Sequence, residues 1–190
     1  MANNGKWASY EAALLQVMGC DYEPYPEYWW WYRFLFIPSF AVPSCLIISG
    51  NELAGELHFA VLKEQPSDIF EVVYLSKETD SEDLEILRVR QCREMMELLT
   101  NKEVQQFRQH LATIQPMLLP DLKFWGRDGI FIRCWCQESG KKHTFEMSHS
   151  NAAQSPKYKL LLSASLQLLK PHITDPILLE YLAKNWLFSS

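Results

Sequence analysis

The chain has 190 residues, of which 48% are hydrophobic and 22% are charged, and its formal net charge at pH 7 is -5. This length and apolar content suit one domain with a substantial core, so we expect residues 1–190 to fold as a single unit. A net negative charge with scattered lysines and arginines argues against a nucleic-acid-binding protein, which presents a basic surface to the phosphates.

The cysteines and the first residues of the chain indicate where the protein resides. The five cysteines are odd in number and irregular in spacing, which predicts free thiols in a reducing compartment. The opening residues predict a short helix from about Trp7 to Met18, and they lack the apolar core of a signal peptide. We therefore expect a cytoplasmic protein.

The most unusual segment is the aromatic run YWWWYRFLF at residues 28–36. Its apolar stretch is about half the roughly 20 residues that a membrane-spanning helix needs, so we expect no membrane insertion. Aromatic side chains are frequent in strands, and Pro26 and Pro38 bound the run. The pattern therefore predicts a strand.

A strand directs alternate side chains to opposite faces, and both faces of this strand are mainly apolar. The first face is so large that we expect the C-terminal helices to cover it, with a partner or a second copy of the chain as the alternative cover. We expect the other face to be less protected and predict Trp29, Trp31 and Arg33 as partner-binding residues, because indole suits interface hot spots. Replacing Trp30 by alanine should then cost stability, whereas replacing Trp31 should mainly weaken binding. The first face comprises Tyr28, Trp30, Tyr32, Phe34 and Phe36.

Further strands are predicted at residues 44–50, 55–64 and 69–78, and the short connections between them favour antiparallel pairing. Residues 84–99 fit both the alternation of a strand and the spacing of a helix, and we favour a strand at their start. The middle of the chain therefore predicts an antiparallel sheet.

Three helices are predicted in the second half of the chain from capping residues and from the placement of prolines, over residues 102–115, 157–170 and 176–187. The packing side of the first is Val104, Phe107, Leu111 and Ile114. The packing side of the third is Ile177, Leu178, Tyr181, Leu182 and Trp186. These elements predict an α+β fold, an antiparallel sheet with helices packed on one face.

The clearest local feature is a β-hairpin over residues 129–150, whose two-residue turn is Ser139–Gly140. In the register that this turn sets, one face carries core residues and the other carries Arg133 opposite Glu146, beside Trp135. We predict that Trp135 is exposed or half-buried, and it is the fourth partner-binding candidate. The predicted core face comprises Ile132, Cys134, Cys136, His143, Phe145 and Met147.

Thiol and imidazole groups on this hairpin raise the question of a metal or catalytic site. Cys136 lies beside His143 in the predicted register, but His149 lies about 20 Å further along the strand and the usual spacing of zinc ligands is absent. Cys136 and His143 could also act as a nucleophile and its base, yet no predicted neighbour orients the imidazole. We therefore predict no metal site, no cofactor and no catalytic residue.

One family resemblance is carried by FWGRDGIFIRCWCQESGKKHTFEMSHS, by YKLLLSASLQLL after it and by FLFIPSFAVPSCLIISG earlier in the chain. In this order the segments resemble small bacterial proteins, mostly uncharacterised or of the immunity-protein type, in which a hairpin that opens with Asp128 and Gly129 precedes a helix packed on the sheet. The resemblance implies that the chain binds a partner, often a toxin, and carries no catalytic residues. The run at residues 28–32 lies outside the shared pattern.

Two functional classes remain after these exclusions. The first is a non-enzymatic protein-interaction module, an immunity or accessory protein that binds a partner protein and does not bind nucleic acid or membranes. Self-association through the aromatic surface stays open. The alternative is a small cytoplasmic enzyme whose site is assembled from residues distant in sequence. A flat aromatic patch rimmed by acidic residues would favour the first class, and a concave pocket with several convergent titratable groups would favour the second.

Overall fold

The computed structural model describes residues 4–24, 28–39, 41–65, 92–122, 129–148, 152 and 154–185. Within those ranges the chain forms a six-stranded sheet and four α-helices. The strands are β1 (Trp30–Pro38), β2 (Ser44–Gly50), β3 (Gly55–Leu62), β4 (Cys92–Leu99), β5 (Ile130–Glu138) and β6 (Lys141–Ser148). The helices are α1 (Asn4–Val17), α2 (Asn101–Ile114), α3 (Pro156–Leu169) and α4 (Pro176–Asn185).

The sheet is antiparallel throughout, with the strand order β4-β3-β2-β1-β5-β6. The aromatic strand β1 is therefore an inner strand, hydrogen-bonded to β2 on one side and to β5 on the other. The predicted α+β class and antiparallel sheet are confirmed. Residues 69–78 and 84–91 lie outside the described part of the chain, whereas the described remainder of the ambiguous segment is the strand β4.

Most of the predicted first face is buried beneath helices, namely Trp30, Tyr32, Phe34 and Phe36, whereas Tyr28 precedes β1 and is half-buried. The buried part of this face shares one core with residues of α2, α3 and α4. Helix α2 makes the closest ring contacts, since the Phe107 ring centroid lies 6.0 Å from that of Trp30 and 6.1 Å from that of Tyr32. Helix α4 reaches the same face further along the sheet, where Tyr181 and Phe59 have ring centroids 6.4 Å apart. Helix α2 therefore covers this face together with the two C-terminal helices α3 and α4.

The opposite face of the sheet is also covered, which corrects the expectation that helices pack on one face. Helix α1 lies there, and its Leu14, Leu15 and Val17 share a second core with Leu35 and Ile47 of the sheet. Apolar side chains on both sides of an inner strand require a layer on each side, and α1 supplies the second one. The residues of this face are consequently protected from water.

The hairpin β5–β6 has the predicted register in full. Cys136 lies opposite His143, Cys134 opposite Phe145, and Arg133 opposite Glu146. Ser139 has a φ of 48° and Gly140 a φ of 77°, the left-handed values that both central residues of a type I′ turn adopt. The turn chemistry and the in-out alternation therefore determine this hairpin together.

The helix termini follow their capping residues. Thr100 is the N-cap of α2, where its side chain and that of Glu103 form a reciprocal capping box. The packing side predicted for α2 is buried in full. In α4, Leu178, Tyr181 and Leu182 are buried as predicted, but Ile177 is 48% exposed, which corrects its assignment to the packing side. Trp186 lies outside the described residues.

Candidate binding cleft and buried polar network

The four predicted partner-binding residues lie in different environments. Trp29 is 56% exposed, whereas Trp31 and Arg33 are only 5% and 7% exposed, and Trp135 is half-buried. The prediction of a poorly protected face is therefore wrong for Trp31 and Arg33, which are both buried. Arg33 contacts the chain after α1, at the Tyr22 carbonyl, and its guanidinium lies over the Trp31 ring. Partner binding itself stays a prediction, and Trp29 is the residue of this set that a partner can reach most readily.

Arg33 and Trp135 take part in a stack of cationic and aromatic groups under α1. The Arg33 guanidinium lies 5.5 Å from the Trp31 ring centroid and 6.0 Å from that of Trp135. Arg133 approaches Trp135 at 5.9 Å, so the indole lies near two guanidinium groups. Arg33 also donates a hydrogen bond to the backbone carbonyl of Tyr22. These contacts give Arg33 and Trp135 structural roles inside the protein.

A buried ion pair joins α1 to this stack. Arg133 Nη1 lies 2.9 Å from Glu11 Oε2, and its other terminal nitrogen pairs with Glu146 across the hairpin. The Glu11 side chain is only 4% exposed. Burial raises the pKa of Glu11, Arg133 lowers it, and the neighbouring charge of Glu146 raises it further. Arg133 is therefore the group that allows a carboxylate to be buried at this interface.

The accessible tryptophan Trp29 lies at the mouth of a cleft of about 320 Å³ between the start of β1, the end of α2 and the β5–β6 turn. The chain bends at Trp29 immediately before β1. Trp29 lines this cleft together with Trp30, although the sequence pattern placed the two indoles on opposite faces. The lining comprises Trp29, Trp30, Arg108, Leu111, Ala112, Gln115, Met117, Leu118, Glu138 and Ser139.

The outer rim of the cleft is built by the chain that leaves α2. Gln115 ends the helix with a φ of 55°, and a short 3₁₀ turn at Pro116–Leu118 follows. This change of direction brings Met117 Sδ to 3.7 Å from Cys136 Sγ of β5 and leaves Leu118 72% exposed. Leu118 and Trp29 therefore form the apolar rim of the cleft.

The cleft contains two oppositely charged side chains that do not form an ion pair. Glu138 accepts a hydrogen bond from the Tyr32 hydroxyl. Burial, together with that carboxylate, raises the pKa of Tyr32 well above its usual value, so the phenol remains a donor. Arg108 lines the same cleft from helix α2. Within the described part of the chain its guanidinium makes no hydrogen bond or ion pair.

A second constellation lies on the α1 face, where a thiol, an imidazole and a carboxylate meet. Cys20 Sγ lies 3.9 Å from His58 Nδ1, and His58 Nε2 lies 3.2 Å from Glu94 Oε2. The Tyr22 hydroxyl is 3.2 Å from the same Nδ1, and its ring stacks on the imidazole at 6.0 Å. This is the order of groups in a cysteine nucleophile with its base and orienting acid.

Burial decides against a catalytic role for these groups. Cys20 is 0% and His58 1% exposed. Burial and the neighbouring Cys45 raise the pKa of Cys20 well above its usual value, so the nucleophilic thiolate is disfavoured. Burial opposes the charged form of His58, but Cys20 and the Glu94 carboxylate hold the His58 pKa above its usual value. The network therefore acts as a satisfied polar cluster between α1 and the sheet.

All five cysteines are free and buried, which gives a direct test of that conclusion. We expect the native protein at pH 7.5 to resist alkylation by iodoacetamide, and the unfolded protein to react at every thiol, because exposure and thiolate character control the rate. Mass spectrometry of timed samples measures both rates, with the urea-unfolded protein as the control. Rapid and selective alkylation of Cys20 in the native state would contradict a purely structural role.

The pair considered in the hairpin does not form a nucleophile and base. Cys136 and His143 are opposite each other as predicted, but Cys136 Sγ contacts Met117 and the His143 backbone carbonyl. The His143 imidazole instead has Nε2 2.7 Å from the carbonyl oxygen of Leu119. His149 lies outside the described residues.

Comparison of the chain with protein-family models, curated proteins and solved structures finds no match. Among the described residues, no helix has the length and apolarity needed to cross a membrane.

Proposed function

We propose that this chain is a non-enzymatic protein-interaction module, an immunity or accessory protein of the cytoplasm, that binds a partner protein at the cleft beside Trp29. The observation that carries the proposal is the exposure of Trp29. Trp30 and Trp31 are both 5% exposed, whereas Trp29 is 56% exposed at the mouth of a cleft. Leaving an indole in water without a partner forfeits its burial energy.

The chemistry of the cleft supports recognition of a protein. Tryptophan and arginine are the residue types most enriched at the centres of protein interfaces, and Trp29 and Arg108 line the same cleft. Leu118 extends the apolar surface at the rim. Among the described residues, the lining contains no cysteine or histidine, so these residues offer no thiol nucleophile and no imidazole base. This composition suits binding better than catalysis.

The alternative of a small enzyme is supported by the Cys20, His58 and Glu94 constellation. Its weakness is access, because a substrate would have to displace helix α1 or the segment after it to reach a thiol that is 0% exposed. The interaction proposal requires no such rearrangement. Free cysteines throughout the chain support the cytoplasmic location.

The test is affinity capture from the native cell lysate with three versions of the chain. We expect the wild type to retain a partner that Trp29→Ala releases, because removal of a hot-spot indole weakens binding strongly. Leu53→Ala is the matched control, since Leu53 is 72% exposed in the connection between β2 and β3 and does not line the cleft.

Two outcomes would overturn the proposal. A partner that binds the wild type and Trp29→Ala equally would place the interaction elsewhere. Retention of no protein other than further copies of this chain would replace a foreign partner by self-association.

A further inference from the structure

We infer that the cleft recognises a carboxylate flanked by apolar side chains on the partner, with the Arg108 guanidinium as the counter-ion of that carboxylate. The inference rests on the proposed function and adds the chemistry of the segment that binds. Its starting point is the contrast between Arg108 and the other arginines of the described chain.

Three of the four arginines in the described ranges have protein partners. Arg33 donates to the Tyr22 carbonyl, Arg93 Nη1 lies 3.0 Å from Asp175 Oδ2, and Arg133 pairs with Glu11 and Glu146. Arg108 has none of these contacts and is only partly exposed. In a chain with a formal charge of -5, a cation left without a counter-ion in a cleft is a feature that an external anion can satisfy.

Glu138 does not serve as that counter-ion. It lines the cleft, yet it makes no ion pair with Arg108 within the described residues and accepts from the Tyr32 hydroxyl. Its negative charge repels a carboxylate from the wall formed by the hairpin turn. A bound carboxylate therefore has one favourable position, on the α2 wall beside Arg108.

The rest of the lining sets the neighbours of that carboxylate. Trp29 and Leu118 are exposed at the rim, and the lining also includes Leu111, which is buried, and Met117, which is half-buried. Apolar side chains next to the acidic residue would bury these groups, as the hot spots of protein interfaces do. The volume of about 320 Å³ is at the small end of ligand pockets and fits one or two side chains. The occupant is thus a short acidic and apolar segment rather than a large cofactor.

The expected effect of the charge can be stated as a ratio of affinities. Arginine binds carboxylates through two parallel charge-assisted hydrogen bonds, so a glutamate peptide should bind at least about tenfold more tightly than its glutamine counterpart. The preference should fall as salt is added, because the cleft is open to solvent.

Two capped pentapeptides test the inference, Gly-Leu-Glu-Leu-Gly and Gly-Leu-Gln-Leu-Gly. Each is titrated to about 10 mM, above the millimolar Kd expected of so short a ligand, while the indole N–H signals of 15N-tryptophan-labelled protein are followed by NMR. The signal of Trp29 is assigned with Trp29→Phe. We expect the glutamate peptide to shift that signal at lower concentration than the glutamine peptide.

Arg108→Gln should make the two peptides bind alike, and Lys102→Gln is its matched control, since Lys102 is exposed on the same helix and does not line the cleft. Equal binding of the two peptides by the wild type, equal effects of the two variants, or no shift of Trp29 would each overturn the inference. If the captured partner depends on Trp29 but binds Arg108→Gln normally, the carboxylate chemistry fails and the proposed function stands. If it binds Trp29→Ala normally, the proposed function fails as well.

Discussion

Replacement of Trp30 by alanine is expected to lower the free energy of unfolding by about 3–5 kcal/mol, the range for large-to-small changes of aromatic residues in a core. Trp30 is 5% exposed and packs on Phe107 of α2. Its indole nitrogen donates to the Asn51 carbonyl at 3.2 Å. The ring also lies against the backbone of Gly50, so the neighbouring strand leaves no other side chain to fill the space.

Urea unfolding of Trp29→Ala provides the comparison. Because Trp29 is 56% exposed, its loss should change the free energy of unfolding by no more than about 0.5 kcal/mol. We expect Trp31→Ala to lower the free energy of unfolding as Trp30→Ala does, because Trp31 is only 5% exposed. This corrects the sequence-based expectation that Trp31→Ala mainly weakens binding. A Trp29→Ala protein as destabilised as Trp30→Ala would show that the accessible indole is misassigned.

Replacement of Arg133 by methionine is expected to cost about 3–5 kcal/mol at pH 7, because it leaves the buried carboxylate of Glu11 without its partner. In the wild type, Glu11 Oε2 lies 2.9 Å from Arg133 Nη1. The double variant Arg133→Met with Glu11→Leu should recover most of the loss, since two apolar side chains replace two charges. A double variant no more stable than Arg133→Met would contradict an electrostatic origin of the stability loss.

The same variant should show a characteristic pH dependence. Arg133 lowers the pKa of Glu11 against the effect of burial, so its removal raises that pKa further above the value in the unfolded chain. A raised folded-state pKa gives stability at low pH that is lost as the pH rises through it. The difference in the free energy of unfolding between wild type and Arg133→Met should therefore increase from about pH 4 to pH 7, as measured by urea unfolding at a series of pH values. A difference that is constant over this range would contradict the role of Glu11.

The elements predicted best are those determined by local chemistry. The hairpin register follows from the Ser139–Gly140 turn and the alternation on both sides of it, and both are visible in the sequence. The inward facing of Trp30, Tyr32, Phe34 and Phe36 follows from strand geometry in the same way. The start of α2 follows from the capping box at Thr100. Each of these features involves residues that are close together along the chain.

The packing of α1 on the face of the sheet opposite to the other helices was not predicted, because the sequence does not state on which side of a sheet a helix lies. Helix α1 is separated from β1 by more chain than a tight turn, and it could lie on either face. Since both faces of β1 are apolar, the strand pattern did not choose between them. The side of the sheet that carries Trp31 and Arg33 was therefore assigned as accessible, although both residues are buried.

The cleft and the Cys20, His58 and Glu94 constellation were missed for a related reason. Each is assembled from segments far apart in sequence, as residues 29–30, 108–118 and 138–139 show for the cleft. The signals that the sequence did offer were a proline after the end of α2 and the unusual tryptophan run. Neither reveals that Trp29 and Arg108 line one cleft.

The most direct test is the Kd of the captured partner for the wild type and for Trp29→Ala. The partner and each version of the chain are purified, and the Kd is measured by isothermal titration calorimetry. The account predicts that Trp29→Ala binds at least about 30-fold more weakly, the effect of losing a hot spot of 2 kcal/mol, and that Leu53→Ala binds as the wild type does. Equal Kd values for the wild type and Trp29→Ala would contradict the claim that this cleft is the binding site.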